Sequence, residues 1–373
     1  MSFFYIELKY RKQLLLLNKK FVRRAYMKNI DKELIEWVIN KIETEFSGEI
    51  SLLLGRKGAC KVPTDGDNMA FDFFIPACDH GYSLARTFII DDMGYDLFPM
   101  SWERVEGLAA LNEGISFCLA DSEILYARND ADREHFEILQ KTLFNNLKNK
   151  DYIYKKSLEK INSAMDIYKT MMFETSLGHV RKAAGGISTY LCEALAIING
   201  IYTKKDYGYA ERIEQMKVLP KVPVNFLKNY EEIIRAKDIK TIFKVVHNFM
   251  EETREFFKKF APEKTLKSYN YDELAGFYEE SRYTFRRIAY SCKNNKYVES
   301  FTWGCYLQIE FDILTEEAGL DKMDLLGSYN ADDLSSFEKR ANEIEEYILN
   351  EIKNHGVVLK KYDNLEGFLK YQE

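Results

Sequence analysis

The pattern of apolar residues changes near residue 150, and this change limits the folds open to the chain. Before it, short apolar runs such as "EISLLLG", "AFDFFIP", "ARTFII", "YDLFP" and "EILYA" predict strands, and they alternate with helical patterns such as "DKELIEWVINKIETEF". After it, apolar residues recur every three or four positions, which predicts helices packed in a bundle. The sequence therefore predicts an α+β fold, with a small mixed-sheet domain over residues 1–150 and an all-helical domain over 151–373. The loop-like stretch "FAPEKTLKSYNYDE" places a further division near 262–270.

Composition and charge narrow the classes of protein further. With 25 Tyr and 25 Phe, the chain can fill more than one core, while a net charge of −6 argues against binding nucleic acid through overall charge. The six cysteines form no CxxC pair, so we expect reduced, mostly buried thiols rather than a disulfide framework or a zinc site. The apolar run at Leu14–Leu17 is too short to span a membrane. We expect a cytoplasmic protein without a membrane partner, and the sequence leaves a homodimer open.

Two aspartates lie in the middle of predicted strands, Asp72 in "AFDFFIP" and Asp96 in "YDLFP". An ionised carboxylate inside a strand is costly unless it is paired or binds a cation. Because side chains alternate along a strand, Asp72 is expected on the face opposite to Phe71 and Phe73. If the two strands are neighbours, both carboxylates can converge at one end of the sheet, near a predicted turn at Gly55. Such an arrangement is typical of two-metal phosphoryl-transfer sites.

The order of these features resembles the nucleotidyltransferases of the polymerase-beta superfamily, with the antibiotic-modifying enzymes nearest in layout. The shared order is a helix, a strand, Gly55, a long loop, a strand with Asp72, a later carboxylate and a helical half. The stretches "YDLFPMSWERVEGLA" and "LADSEILYARNDADREHFEILQKTL" also look like bacterial proteins usually labelled nucleotidyltransferase-like. The resemblance covers roughly residues 30–200. It implies a nucleotidyltransferase-fold domain that transfers a nucleoside monophosphate from a nucleoside triphosphate, ATP by expectation, to a small-molecule hydroxyl or amine acceptor with Mg²⁺.

The first motif of this superfamily is altered at the position after the glycine. The family has Gly followed by Gly or Ser, whereas this chain has Gly55 followed by Arg56 and Lys57. The resemblance implies that Gly55 lies next to the triphosphate. Arg56 or Lys57 could then hold a phosphate oxygen by charge.

The metal-binding motif is altered as well. Two residues to either side of Asp72 there is no second carboxylate, while "TDGD" supplies Asp65 and Asp67 on a loop ahead of the strand. The third carboxylate of the motif fits Asp96 best, with the aspartates at 91–92 as substitutes. The resemblance therefore implies catalytic and metal-binding roles for Asp67, Asp72 and Asp96, in a site that is rearranged or lost.

Other readings of the same residues stay open. A strand aspartate can pair with an arginine such as Arg86, and the chain would then be a non-catalytic descendant that binds a nucleotide or a partner protein, or a purely structural interaction protein. In an active enzyme, the helical half would supply the acceptor pocket and the general base, for which Glu174 and Glu193 are candidates. Trp102 is expected in the core rather than as a base-stacking platform.

Overall fold

The computed structural model describes residues 30–57, 69–90, 92–204, 212–262 and 269–372. The chain divides into two compact units, with the boundary between residues 262 and 263. The α+β class predicted from the sequence is confirmed, since a small mixed sheet is followed by helices. The change of periodicity near residue 150 lies inside the first unit. One hydrophobic cluster there runs from the strands into the helices that follow.

The first unit contains a five-stranded sheet in the order β3-β4-β2-β1-β5. The strands are β1 (Ile50–Lys57), β2 (Met69–Pro76), β3 (Arg86–Ile90), β4 (Met93–Pro99) and β5 (Ser122–Ala127). Among the pairings of the described strands, β2 with β4 is parallel and the others are antiparallel. Strand β1 continues two residues beyond Gly55, where the sequence had placed its end.

Helices cover both faces of this sheet. Helix α1 (30–45) packs on one face, where Val38 and Ile42 are fully buried with Leu53 and Phe74. The other face carries Leu52, Leu54 and Phe73, which belong to the cluster shared with the later helices. Those helices are α2 (Trp102–Ala109), α3 (Phe117–Ala120), α4 (Asp130–Asn146), α5 (Lys150–Met171), α6 (Leu177–Ile198), α7 (Arg212–Lys217), α8 (Phe226–Arg235) and α9 (Ile239–Lys258).

The second unit is helical and has its own core. Its helices are α10 (Tyr271–Lys293), α11 (Tyr297–Ala318), α12 (Ser335–Asn354) and α13 (Leu365–Gln372). Helices α11 and α12 approach closely at Gly304, where an added Cβ would lie 2.6 Å from the Phe337 ring. None of the helices that the structure describes combines the length and the apolar composition needed to cross a lipid bilayer.

Candidate functional site

Asp72 lies at an irregularity in the pairing of β1 and β2. Leu54 is opposite Phe73 and the next residue, Gly55, is opposite Phe71, so Asp72 is the extra residue of a β-bulge. Phe71 and Phe73 consequently pack in clusters on opposite faces of the sheet. The prediction that Asp72 is opposite to both phenylalanines is therefore wrong, because a bulge interrupts the alternation of side chains.

The bulge brings the Asp72 carboxylate to Arg56 on β1. Arg56 Nε donates to Asp72 Oδ2 at 3.2 Å, and Arg56 Nη2 lies 3.2 Å from the same oxygen. The two side chains are only 4% and 11% exposed, and the guanidinium lies over the Phe117 ring at 4.8 Å from its centroid. The arginine considered from the sequence, Arg86, instead donates to nearby main-chain carbonyl oxygens. Arg56 is thus engaged by Asp72 and would have to leave it to reach a phosphate.

Gly55 lies inside strand β1 rather than in a turn. A Cβ at this position would lie 2.6 Å from Leu125 Cδ1 and 2.8 Å from the Ala70 carbonyl oxygen. The missing side chain therefore lets the neighbouring strands pack closely. Its expected role beside a triphosphate, with that of Lys57 at the end of β1, stays a prediction.

Asp96 lies on β4, the parallel neighbour of β2. Phe73 pairs with Phe98, and their rings are 6.0 Å apart. Asp96 is two residues before Phe98 and shares its face, which is also the face of the Arg56–Asp72 pair. Unlike Asp72, Asp96 is exposed, and its Oδ1 accepts a hydrogen bond from Thr87 Oγ1 at 3.1 Å on β3. The strands thus bring both aspartates to one face of the sheet, in different environments.

The described carboxylates do not form a metal centre. Among the residues that the structure describes, no group of three His, Cys, Asp or Glu side chains is placed to hold a metal ion. The Oδ2 atom of Asp72 lies 3.2 Å from the buried guanidinium of Arg56. A Mg²⁺ ion at the same oxygen would be repelled by this positive charge. Asp65, Asp67 and Asp91 lie outside the described residues, so a site made of Asp67, Asp72 and Asp96 stays a prediction.

A second group of buried charges lies among the helices of the same unit. Glu193 on α6 lies between Lys160 of α5 and Arg212 of α7, with N–O distances of 3.4 Å and 3.5 Å. All three side chains are at most 8% exposed. Gly114 makes room for the carboxylate, since a Cβ there would lie 2.0 Å from Glu193 Oε1. Glu193, a candidate base in the sequence, is here the shared anion of two cations.

The row of charges continues towards the surface through Glu113. Arg104 Nε and Nη2 donate to the two carboxylate oxygens of Glu113 at 2.9 Å and 2.8 Å. This hydrogen bonding lowers the pKa of Glu113, and the charge of Lys160 lowers it further. Positive and negative side chains therefore alternate from α2 to α7.

One sign of this row is visible in the sequence, a lone glutamate in the apolar run "YLCEALAII", but its partners are not. The neighbouring Cys192 is fully buried, and burial raises the pKa of its thiol to about 12. Glu174, the other candidate base, lies at the surface, where its Oε2 is 3.3 Å from His179 Nδ1. Trp102 is partly buried against the core and stacks on His135 at 4.3 Å.

Comparison with known proteins gives a distant likeness. No protein-family model matches this chain, and no curated protein matches it. The chain is similar to a crystal structure of a nucleotidyltransferase-like protein from Exiguobacterium sibiricum, with 11% identity over 85% of this chain and 91% of that chain and a TM-score of 0.34. A likeness this distant carries no conclusion about the activity of this chain.

Proposed function

We propose that this chain is a nucleotide-binding protein in which Asp72 stabilises the sheet instead of holding a catalytic metal. The observation that carries this proposal is the ion pair between Arg56 and Asp72. Its cation is part of the chain, lies on the neighbouring strand and is buried against Phe117. The carboxylate is therefore neutralised without a metal ion.

The electrostatics of the pair argue against magnesium binding at Asp72. A divalent cation at this carboxylate would lie within a few ångströms of the guanidinium, and two like charges repel strongly where water is scarce. Moving Arg56 away would remove its contact with the Phe117 ring and leave the guanidinium buried without its anion. The resemblance of residues 30–200 to nucleotidyltransferases is what supports a nucleotide as the ligand.

Magnesium-dependent transfer of a nucleoside monophosphate to a small hydroxyl or amine acceptor is the second candidate. The exposure of Asp96 on the same face of the sheet favours it. So does the position of Asp67, five residues before Asp72 in the sequence.

Calorimetry separates these functions. Non-hydrolysable ATP and GTP analogues are titrated into the wild type, Asp72→Asn and Asp96→Asn, with and without Mg²⁺. Asp166→Asn is the matched control, since Asp166 is an exposed helical residue paired with Lys169. We expect nucleotide affinity to change less than about twofold on adding Mg²⁺.

Binding that requires Mg²⁺ and is lost in Asp72→Asn or Asp96→Asn, but not in Asp166→Asn, would instead support the transferase. Circular dichroism of each variant checks that a loss of nucleotide binding is not caused by unfolding. If neither nucleotide binds under any condition, the nucleotide part of the proposal is wrong.

A further inference from the structure

Helix α11 is apolar on two opposite sides. Its inner side is buried in the core of the second unit through Leu307, Phe311 and Leu314. Its outer side carries a row that we call the α11 stripe, made of exposed residues at spacings of four, four, three and four: Val298, Thr302, Tyr306, Ile309 and Ile313. Ile309 is 61% exposed and Val298 is 62% exposed. An exposed apolar row opposite a buried one is typical of a helix that packs against a second partner.

The neighbouring helix α10 widens this apolar surface. Tyr283 and Tyr290 are exposed on α10, on a face of the helix that does not pack into the core. Tyr283 contacts Trp303 of α11 edge-on at 6.5 Å between ring centroids, and Arg287 lies over both rings at 5.0 Å and 4.5 Å. Tyrosine, tryptophan and arginine are the residues most enriched at the centres of protein interfaces.

Charges are distributed unevenly along this surface. Helices α10 and α11 are joined by a turn of three residues, so they run in opposite directions. Towards the turn, Lys296 is paired with Glu299 at 3.1 Å, and Arg287 supplies the positive charge beside the rings. Glu280 and Glu310 lie near Tyr306 on the side away from the turn. A two-fold rotation about an axis near Tyr306 would place the basic end of one copy on the acidic end of another.

We propose that the α11 stripe and the adjoining face of α10 form a two-fold interface with a second copy of this chain. A two-fold interface must be complementary to itself, and the apolar centre with opposite charges at its two ends meets this condition. The face is about 22 Å long and about 20 Å wide from helix dimensions, on the order of 450 Å² per copy. Two such faces bury on the order of 900 Å², which is the size of weak, transient interfaces, so we expect a dimer that forms reversibly as the concentration rises.

Sedimentation equilibrium of the full chain between about 1 and 100 µM tests this interface. We expect the wild type to dimerise, and Ile309→Arg to raise the dissociation constant at least tenfold. Ile234→Arg is the matched control, because Ile234 is an isoleucine of similar exposure, 68%, on α8 of the other unit. Both changes are at exposed positions, and circular dichroism checks that the helices are retained.

A charge exchange tests the two-fold geometry itself. Arg287→Glu and Glu310→Arg should each weaken the dimer, and the double variant should restore it, since each changed charge then meets its new partner in the other copy. A monomer at 100 µM, or a dimer that Ile309→Arg leaves intact, overturns the proposal. A dimer lost in Phe368→Glu but not in Ile309→Arg would place the contact at α13 and overturn it as well.

Discussion

The two groups of buried charges in the first unit differ in how their charges are balanced. At the sheet, Arg56 and Asp72 form a pair of one cation and one anion. Among the helices, Glu193 lies between two cations, Lys160 and Arg212. At the sheet one cation matches one anion, whereas among the helices two cations share the Glu193 carboxylate. The difference shows that the number of charges sharing a partner, and not burial alone, decides which residue is indispensable.

Removing the shared anion should have the largest effect. Glu193→Gln keeps the size of the side chain but removes the negative charge that lies between two buried cations, Lys160 and Arg212, and we expect a loss of about 3–5 kcal/mol in the free energy of unfolding. Urea denaturation measures it. The control, Glu174→Gln at the surface, should change stability by less than about 0.5 kcal/mol. A loss below about 1 kcal/mol for Glu193→Gln would contradict the role assigned to this carboxylate.

Breaking the pair at the sheet should cost less. Arg56→Met removes the arginine that pairs with Asp72, a carboxylate only 11% exposed, so we expect a loss of about 2–4 kcal/mol. The double variant Arg56→Met/Asp72→Leu should recover most of it, because a balanced pair can be exchanged for apolar residues of similar size. Urea unfolding of the wild type, Arg56→Met, Asp72→Leu and the double variant completes the cycle. If the double variant is no more stable than Arg56→Met, the two side chains do not form a simple pair.

The glycine beside the sheet pair gives a smaller test of how tightly that region is packed. Gly55→Ala places a methyl group against the Ala70 carbonyl oxygen and Leu125, and we expect a loss of about 1–3 kcal/mol. Gly185→Ala on α6 meets open space and should stabilise the protein by up to about 1 kcal/mol, because alanine favours helix. Thermal unfolding of both variants compares the two regions directly. An equal effect at the two positions would contradict the close approach at Gly55.

The exposed end of the row of charges should contribute least. Arg104 lowers the pKa of Glu113 below its ordinary value of 4.5, so this carboxylate adds stability above that value and loses it as the pH falls through the lowered pKa. Both side chains are about 40% exposed, which limits the contribution to less than about 1 kcal/mol. Unfolding of the wild type and Glu113→Gln should differ near pH 7 and converge once the pH falls below the lowered pKa of Glu113. A difference that persists at acidic pH would assign another role to Glu113.

The sequence predicted the fold class because periodicity reports directly on secondary structure. The same periodicity failed at Asp72, where a bulge of one residue turns the carboxylate towards Arg56. No local pattern marks such a bulge, since it depends on how β1 and β2 are paired. The strand position of Asp96 followed from its apolar neighbours, but its exposure did not, because exposure depends on what covers the sheet.

The charges among the helices were harder to predict for a related reason. A glutamate in an apolar helical run indicates a buried charge, yet its partners Lys160 and Arg212 come from helices α5 and α7. Their distances in sequence carry no signal until the packing of the helices is known. The burial of a charged side chain can therefore be predicted from its own segment. The opposite charges that pair with it come from other segments and cannot.

The buried thiol beside Glu193 has a practical consequence. With its pKa raised to about 12 and no exposed surface, Cys192 is protonated and inaccessible at neutral pH. Thiol reagents react with the thiolate, so a maleimide should modify the exposed Cys78 first and reach Cys192 only when the helical core around α6 opens. Peptide mapping would assign the slow modification to Cys192 among the six cysteines, and its rate would measure how often the helical core opens.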